Sequence, residues 1–284
     1  MAASLSSASS APLASGLGLP DGTHLHLHSW MAPQPLGRIL MLHGKGDYGG
    51  RFQELATLLQ SRRWSSYAPD MRGFGRSPGS RCGVNRFADY LADLEFIQSA
   101  LTPHFWLGYS TGANWVVEYA LRHPQQVQGL ILISPAFRID NNFTPLTRRL
   151  LSVADRFLPQ TIVARRYNPA KVTALPERQR QLAEDPYVTG LTRARFVAEL
   201  ERSGDFCLTA ATRLSLPILL LYTPSDSVVN PAGSQAFAEK LSALSVPLTV
   251  KTYPGSRHDL LHDQEAPAVQ QAILDWIQNQ PLPT

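Results

Sequence analysis

Three residues of different chemistry stand in short loops in the order Ser, Asp, His. Ser110 lies in Gly108-Tyr109-Ser110-Thr111-Gly112, Asp226 in Thr223-Pro224-Ser225-Asp226-Ser227, and His258 in Pro254-Gly255-Ser256-Arg257-His258. A hydroxyl alone is a weak nucleophile. An imidazole within hydrogen-bond reach can take its proton, and a carboxylate on the far ring nitrogen holds that imidazole in the useful tautomer. Such a set attacks a carbonyl and passes through an acyl-enzyme. Taken singly, each residue also has an ordinary reading: a G-x-S-x-G arises by chance, and an Asp after a strand is commonly a surface turn. All three together, in this order and each in a loop after a strand, are poorly explained by accident. A fourth stretch, His43-Gly44-Lys45-Gly46-Asp47-Tyr48-Gly49-Gly50, has four glycines in seven positions from Gly44, so its backbone turns tightly or approaches something closely. A loop of this kind supplies the second oxyanion donor, here the Lys45 amide, paired with the Thr111 amide. The phosphate-loop order G-x-x-x-x-G-K-[ST] is absent.

The pattern around these loops says what must position them. Phe105 to Leu107 is a short apolar run, and Trp115, Val116, Val117, Tyr119, Ala120 and Leu121 follow the turn at helical spacing, so the segment reads strand, tight turn, helix. Further apolar strands are expected at Arg38 to Leu42, Ser65 to Ala68, Gly129 to Ser134, Pro217 to Tyr222 and Leu248 to Tyr253. Helices are expected at Phe52 to Gln60, Phe87 to Leu101 and Ala266 to Ile277. Nearly continuous apolar strands alternating with helices indicate an α/β fold with a mostly parallel sheet covered on both faces. Asp70, Arg72 and Ser77, in the Gly-punctuated loop after the second of those strands, are expected to hydrogen-bond within that turn. From Pro135 to about Gly204 the rhythm breaks into Arg-rich helical stretches and repeated prolines. Leu146, Leu150, Val153, Ala154 and Phe157 keep a helical period with arginines between them, an amphipathic helix. The period leaves open whether its apolar face packs inward or stays outside.

Composition excludes several classes. The 284 residues are 44% hydrophobic, enough for one large core. The net charge of +4 is spread without a Lys/Arg block, which argues against nucleic acid and suits an anionic lipid surface. Cys82 and Cys207 are the only cysteines and lack ligand spacing, so neither a disulfide framework nor a zinc site is expected. His24, His26 and His28 alternate with Leu25 and Leu27 on a half-exposed strand. They read as solvent-facing residues, since no carboxylate sits at ligand spacing beside them. Residues 1–18, rich in Ser and Ala and free of charge, read as a disordered tail without the basic and apolar regions of a secretory signal. With no run of 18 apolar residues, no bilayer span is expected. Cytoplasmic residence, with association at a membrane surface, is the expectation.

In this order, HGKGDYGGRF, DMRGFGRS, GYSTG, LISP, SDSVV and PGSRHDLL resemble the α/β-hydrolase group that includes monoacylglycerol lipases, bacterial lysophospholipases and the serine aminopeptidase family. The resemblance covers nearly everything from about residue 20 onward. It implies an α/β-hydrolase core over 19–138 and 205–284 and a helical cap over 139–204. It also implies Ser110 as nucleophile, His258 as base, Asp226 as its orienter, and the Lys45 and Thr111 amides as the oxyanion hole. The activity implied is cleavage of carboxylic esters of monoacylglycerol or lysophospholipid type, without metal or organic cofactor. The partner implied is a small-molecule or lipid ester, with peripheral membrane contact through the cap. A small-ester esterase or an acyltransferase would use the same triad, and a non-catalytic binding module on this fold is the remote alternative. The chain departs from the monoacylglycerol lipases at three places. The elbow has Tyr109 and Thr111 where those read GHSMG, and Lys45 replaces a small residue at the first oxyanion position. Leu261 stands where a second His is common, with His262 one step later, and HDLLHD is closer to the HELL-type ending of lysophospholipases.

Overall fold

A computed structural model describes residues 16–139 and 144–281. In chain order the strands are β1 Gly16–Gly18, β2 His24–Trp30, β3 Gly37–Leu42, β4 Trp64–Pro69, β5 Phe105–Tyr109, β6 Gly129–Ile133, β7 Ile162–Ala164, β8 Thr192–Arg193, β9 Ile218–Tyr222 and β10 Leu248–Thr252. The α-helices are α1 Gln53–Ser61, α2 Phe87–Leu101, α3 Thr111–Arg122, α4 Pro145–Phe157, α5 Pro169–Val172, α6 Pro176–Glu184, α7 Ala194–Ala210, α8 Ala232–Ser242 and α9 Ala266–Gln278. The main sheet runs β1-β2-β4-β3-β5-β6-β9-β10. In this sheet β1 pairs β2 and β2 pairs β4 antiparallel, and every other pairing is parallel. The fold is therefore the expected α/β-hydrolase arrangement.

The central strands explain its stability and its aim. β5, β6 and β9 are buried along their whole length because apolar side chains point to both faces. One face packs on α2, α3, α7 and α8 through Tyr90, Trp115, Phe196 and Phe237. The other packs on α1 and α9 through Leu55, Leu59, Ile273 and Trp276. Each fully buried side chain of this size contributes about 1.5–3 kcal/mol of transfer free energy. Parallel strands end on one edge, so the loops after β3, β5, β9 and β10 open side by side.

Some expectations need correction. The tail expected over residues 1–18 falls outside the described residues through 15, but Gly16–Gly18 forms β1, pairing with His24 to His26 of β2. The expected boundary at 204–205 cuts through α7: Phe196, Leu200, Cys207 and Leu208 bury one continuous face. Gly204 is where that helix crosses the chain after β6, since a Cβ there would meet the Phe137 carbonyl closer than 3.0 Å. The insertion also holds the short antiparallel pair β7 and β8, too brief to leave a periodic signal. In α4 the apolar face points outward: Leu146, Leu150 and Phe157 are 67%, 61% and 69% exposed. His26 and His28 are half-buried rather than free in solvent, because Asp70, remote in sequence, lies 3.1 Å from His28 Nε2. These three could form a metal-binding set. However, the Asp70 oxygens already accept from the Gly49 and Arg76 amides. Both cysteines are buried and free. Among the described residues no helix is long and apolar enough to cross a membrane.

Candidate active site

The turn after β5 shows why this sequence folds as it does. Ser110 has φ 55° and ψ −118°, a conformation a non-glycine residue adopts only under constraint, at about 1–3 kcal/mol. The constraint comes from close backbone crossings. A Cβ on Gly108 would stand closer than 3.0 Å to the Ala113 backbone, and one on Gly112 would strike the carbonyls of Leu42 and His43. The Ser110 amide donates to Ile133 O at 2.9 Å, and its carbonyl accepts from Ala113 at 3.0 Å and Ala136 at 3.2 Å. So Ser110 is held at the N-terminus of α3 by β6 and both flanking loops.

The fold brings together the three residues predicted as a triad. Ser110 Oγ lies 3.0 Å from His258 Nε2, and Asp226 Oδ2 lies 2.7 Å from His258 Nδ1. His258 and Asp226 are almost wholly buried, with 3% and 2% of their side chains exposed. Burial alone would raise the Asp226 carboxyl. The charge and hydrogen bond of His258 and the amides of Val228 and Val229 outweigh it and hold the carboxyl below its ordinary value. Those amides donate to Oδ1, leaving Oδ2 for the imidazole. The two segments predicted to supply oxyanion donors both lie beside Ser110. Thr111 opens α3, so its N–H has no partner within the helix. Gly44 packs so close that its Cβ would be 3.0 Å from Ser110 Cβ, and Lys45, next in the chain, lines the same cavity as Ser110.

Several supporting contacts carry no sequence signal. Ser134, with φ 44°, donates from its hydroxyl to the His258 carbonyl at 2.7 Å. Thr223 Oγ1 donates to Ser256 O at 2.9 Å, and the Asp263 carboxylate accepts from Arg257 N. Together they fix the loop that carries the imidazole. Beneath it, Arg51 pairs with both Asp47 and Asp259. Burial would raise Asp259, but the charges of His262 and Arg51 hold it well below the usual carboxylate range. The Tyr109 ring lies 5.2 Å from that of His258. The loop after β10 is also bonded to the insertion, through Asp259 N to Val172 O at 2.9 Å and Thr173 Oγ1 to His262 O at 2.9 Å. Most of these pairs are far apart in sequence; Arg51–Asp47, His262–Asp259 and Arg257–Asp263 are the local ones. Ser134, Asp47, Arg51, Tyr109, Thr223, Ser256, Arg257 and Asp259 lie within stretches that sequence reading singles out, but their pairing is visible only in the fold.

Above Ser110 and His258 opens a cavity of about 450 Å³, within the usual range of small-molecule sites. Phe196, Val197 and Leu200 of α7 give it an apolar wall, while Arg166, Asn168 and Lys171 line it from the insertion. The sequence profile described as serine aminopeptidase, S33, matches residues 33–265. The chain belongs to the serine aminopeptidase S33 family. Among relatives in sequence, it is 25% identical over 250 residues to the monoacylglycerol lipase of Mycolicibacterium smegmatis, covering 86% of this chain and 88% of that one. It is 28% identical over 269 residues to the monoglyceride lipase of Mus musculus, covering 89% and 85%. In structure, it matches the monoacylglycerol lipase of Paleococcus ferrophilus with a TM-score of 0.82 at 25% identity, over 89% of this chain and 98% of that one. As an S33 family member it matches these relatives across nearly their whole length.

Proposed function

We propose that this protein is a serine hydrolase that cleaves carboxylic esters of monoacylglycerol type through an acyl-enzyme. The observation that carries the reading is the continuous hydrogen-bonded chain from Ser110 through His258 to Asp226 at the floor of a cavity with one apolar wall. In this reading His258 Nε2 takes the Ser110 proton as Oγ attacks the ester carbonyl. Asp226 stabilises the imidazolium, and the amides of Lys45 and Thr111 receive the developing oxyanion. Each such donor contributes about 3–4 kcal/mol in the transition state. The protonated imidazole then gives its proton to the departing alcohol, and water, activated by the same ring, releases the fatty acid. The chain needs no metal or organic cofactor for this sequence of steps.

In the same reading residues 139–204 act as a cap. Their apolar residues on α7 face the acyl chain, and the outward stripe of Leu146, Leu150, Val153 and Phe157 on α4 meets a lipid surface. The monoacylglycerol lipase names of the relatives support a glycerol ester as substrate. The experiment is a series of 1-monoacylglycerols of rising chain length, assayed with the wild-type chain and with Ser110→Ala. Turnover that rises toward long chains and falls by at least about 10³-fold in the variant is expected. Turnover confined to acetate and butyrate esters would point to a small-ester esterase, and full activity in the variant would refute the assignment.

A further inference from the structure

The wall of the catalytic cavity is out of balance in charge. It carries three cations, Lys45, Arg166 and Lys171, against one carboxylate, Asp47. Asp47 is already engaged: its Oδ1 lies 3.2 Å from Arg51 Nε and accepts from the Tyr48 amide at 3.0 Å. Asp226 lies behind His258 and is bonded to it. Lys45 has three N–H donors and one neutral acceptor, the Thr192 hydroxyl at 2.8 Å. Burial presses its pKa below that of an ordinary lysine. Lys171 reaches only the Ser227 carbonyl, at 3.5 Å. Among the described residues none of the three has a carboxylate within ion-pair distance. Elsewhere some arginines have acidic partners, while others, such as Arg63 and Arg193, bond only carbonyls and hydroxyls among the described residues. Arg72 is paired with Asp93 and Asp21, Arg195 with Asp155, and Arg178 with Glu54. Arg166 and Lys171 are exposed, whereas the Lys45 ammonium is withdrawn from water without a counter-charge, which is costly; cations along one pocket are the electrostatic complement of an anion.

Which part of the substrate carries that anion follows from the wall. Phe196, Val197 and Leu200 suit an alkyl chain; Arg166 and Lys171 stand on other segments, the connection from β7 to α5 and α5 itself, while the Lys45 ammonium reaches Thr192 at the edge of the apolar wall. We infer that the leaving alcohol carries a phosphate, so that the preferred substrate is a single-chain ester of a net-anionic glycerophosphate, read by Lys45, Arg166 and Lys171. The inference rests on the ester hydrolase reading above and sharpens its substrate. A choline or ethanolamine head group adds a positive charge for which the cavity has no free carboxylate, so such zwitterionic esters are poorer substrates than the plain phosphate.

The test compares kcat/KM of the full-length chain for 1-oleoylglycerol, 1-oleoylglycerol 3-phosphate and 1-oleoylglycerophosphocholine in one neutral detergent. The phosphate ester is expected to be favoured over the neutral one by about tenfold, chiefly in KM, with the advantage shrinking as salt is raised. In Arg166→Gln/Lys171→Gln, and again in Lys45→Met, the phosphate-to-neutral ratio is expected to fall by about tenfold, with Lys45→Arg retaining it. A ratio near one, or a ratio that none of these variants moves, overturns the inference. In a second arm, glycerol 3-phosphate, glycerol and inorganic phosphate are titrated calorimetrically into the protein. Glycerol 3-phosphate alone should bind measurably, and equal binding of inorganic phosphate would mean a free-phosphate site and overturn the head-group assignment. Absence of turnover with every ester would sink the hydrolase reading by itself, while the calorimetric arm would still decide the anion site.

Discussion

Helices α3 and α4 are both amphipathic in sequence, and the fold treats them in opposite ways. In α3 every residue from Thr111 to Leu121 is buried, packed between the sheet, α2 and α7, so the turn that launches it cannot relax. In α4 the apolar stripe faces out, and the residue turned inward is Asp155, 6% exposed and paired with Arg195 and Arg202 of α7. Periodicity announces a helix but does not say which face goes in. For α3 the surrounding strands decide it. For α4 one buried acid does, leaving the apolar side exposed. The rigid region holds the chemistry, and the loosely attached one presents a surface.

Breaking the rigid side should cost most. Gly112→Ala puts a Cβ against the carbonyls of Leu42 and His43. The expected loss is about 3 kcal/mol or more, read as a lower midpoint in urea or as failure to accumulate folded protein. A midpoint within about 0.5 kcal/mol of wild type would show that the crossing is not tight. Asp155→Ala should cost about 1–2 kcal/mol. Two guanidinium groups lose their partner, but Arg195 and Arg202 are 26% and 57% exposed and water screens the loss. Faster amide exchange confined to α4 would locate the effect.

Acid separates the two regions further. Asp226 and Asp259 both have carboxyls held below their ordinary value in the fold. The stability they contribute is present above the unfolded carboxylate pKa of about 3.9 and is lost as pH falls through the folded value. The melting temperature should therefore stay nearly level from about pH 7 to 5 and drop below about pH 4. Asp259→Asn should start lower at neutral pH and show a shallower acid limb. An unchanged limb would place the acid lability elsewhere. The smallest effect on stability is expected from Leu150→Ser/Phe157→Ser, within about 0.5 kcal/mol, because these side chains already face solvent. The same variant should lose much of its sedimentation with anionic vesicles; unchanged sedimentation would remove α4 as the lipid-facing element.

How much of this was legible follows the same division. The strand, turn and helix around Ser110, and the loops of Asp226 and His258, announce themselves because each lies in a local pattern: an apolar run ended by glycines or prolines. Ser134 supporting the His258 carbonyl, Arg51 bridging Asp47 and Asp259, and Asp70 reaching His28 join segments far apart in the chain. No spacing rule connects such pairs. The boundary expected at 204, where the Arg-rich stretch ends, falls inside α7. Only the fold shows the buried face of Phe196, Leu200 and Cys207 continuing past Gly204 into the core. The orientation of α4 was undecidable from its period, since Asp155 looks like any surface acid until Arg195 and Arg202 close around it.

The central claim is that Ser110 is an activated nucleophile made so by His258 and Asp226. Its most direct test is incubation with a fluorophosphonate ester followed by intact-mass measurement and peptide mapping. A single adduct on Ser110 is expected, absent in Ser110→Ala and formed at least about 10²-fold more slowly in Asp226→Asn. An adduct on another residue, or equal labelling of Asp226→Asn and wild type, would contradict it.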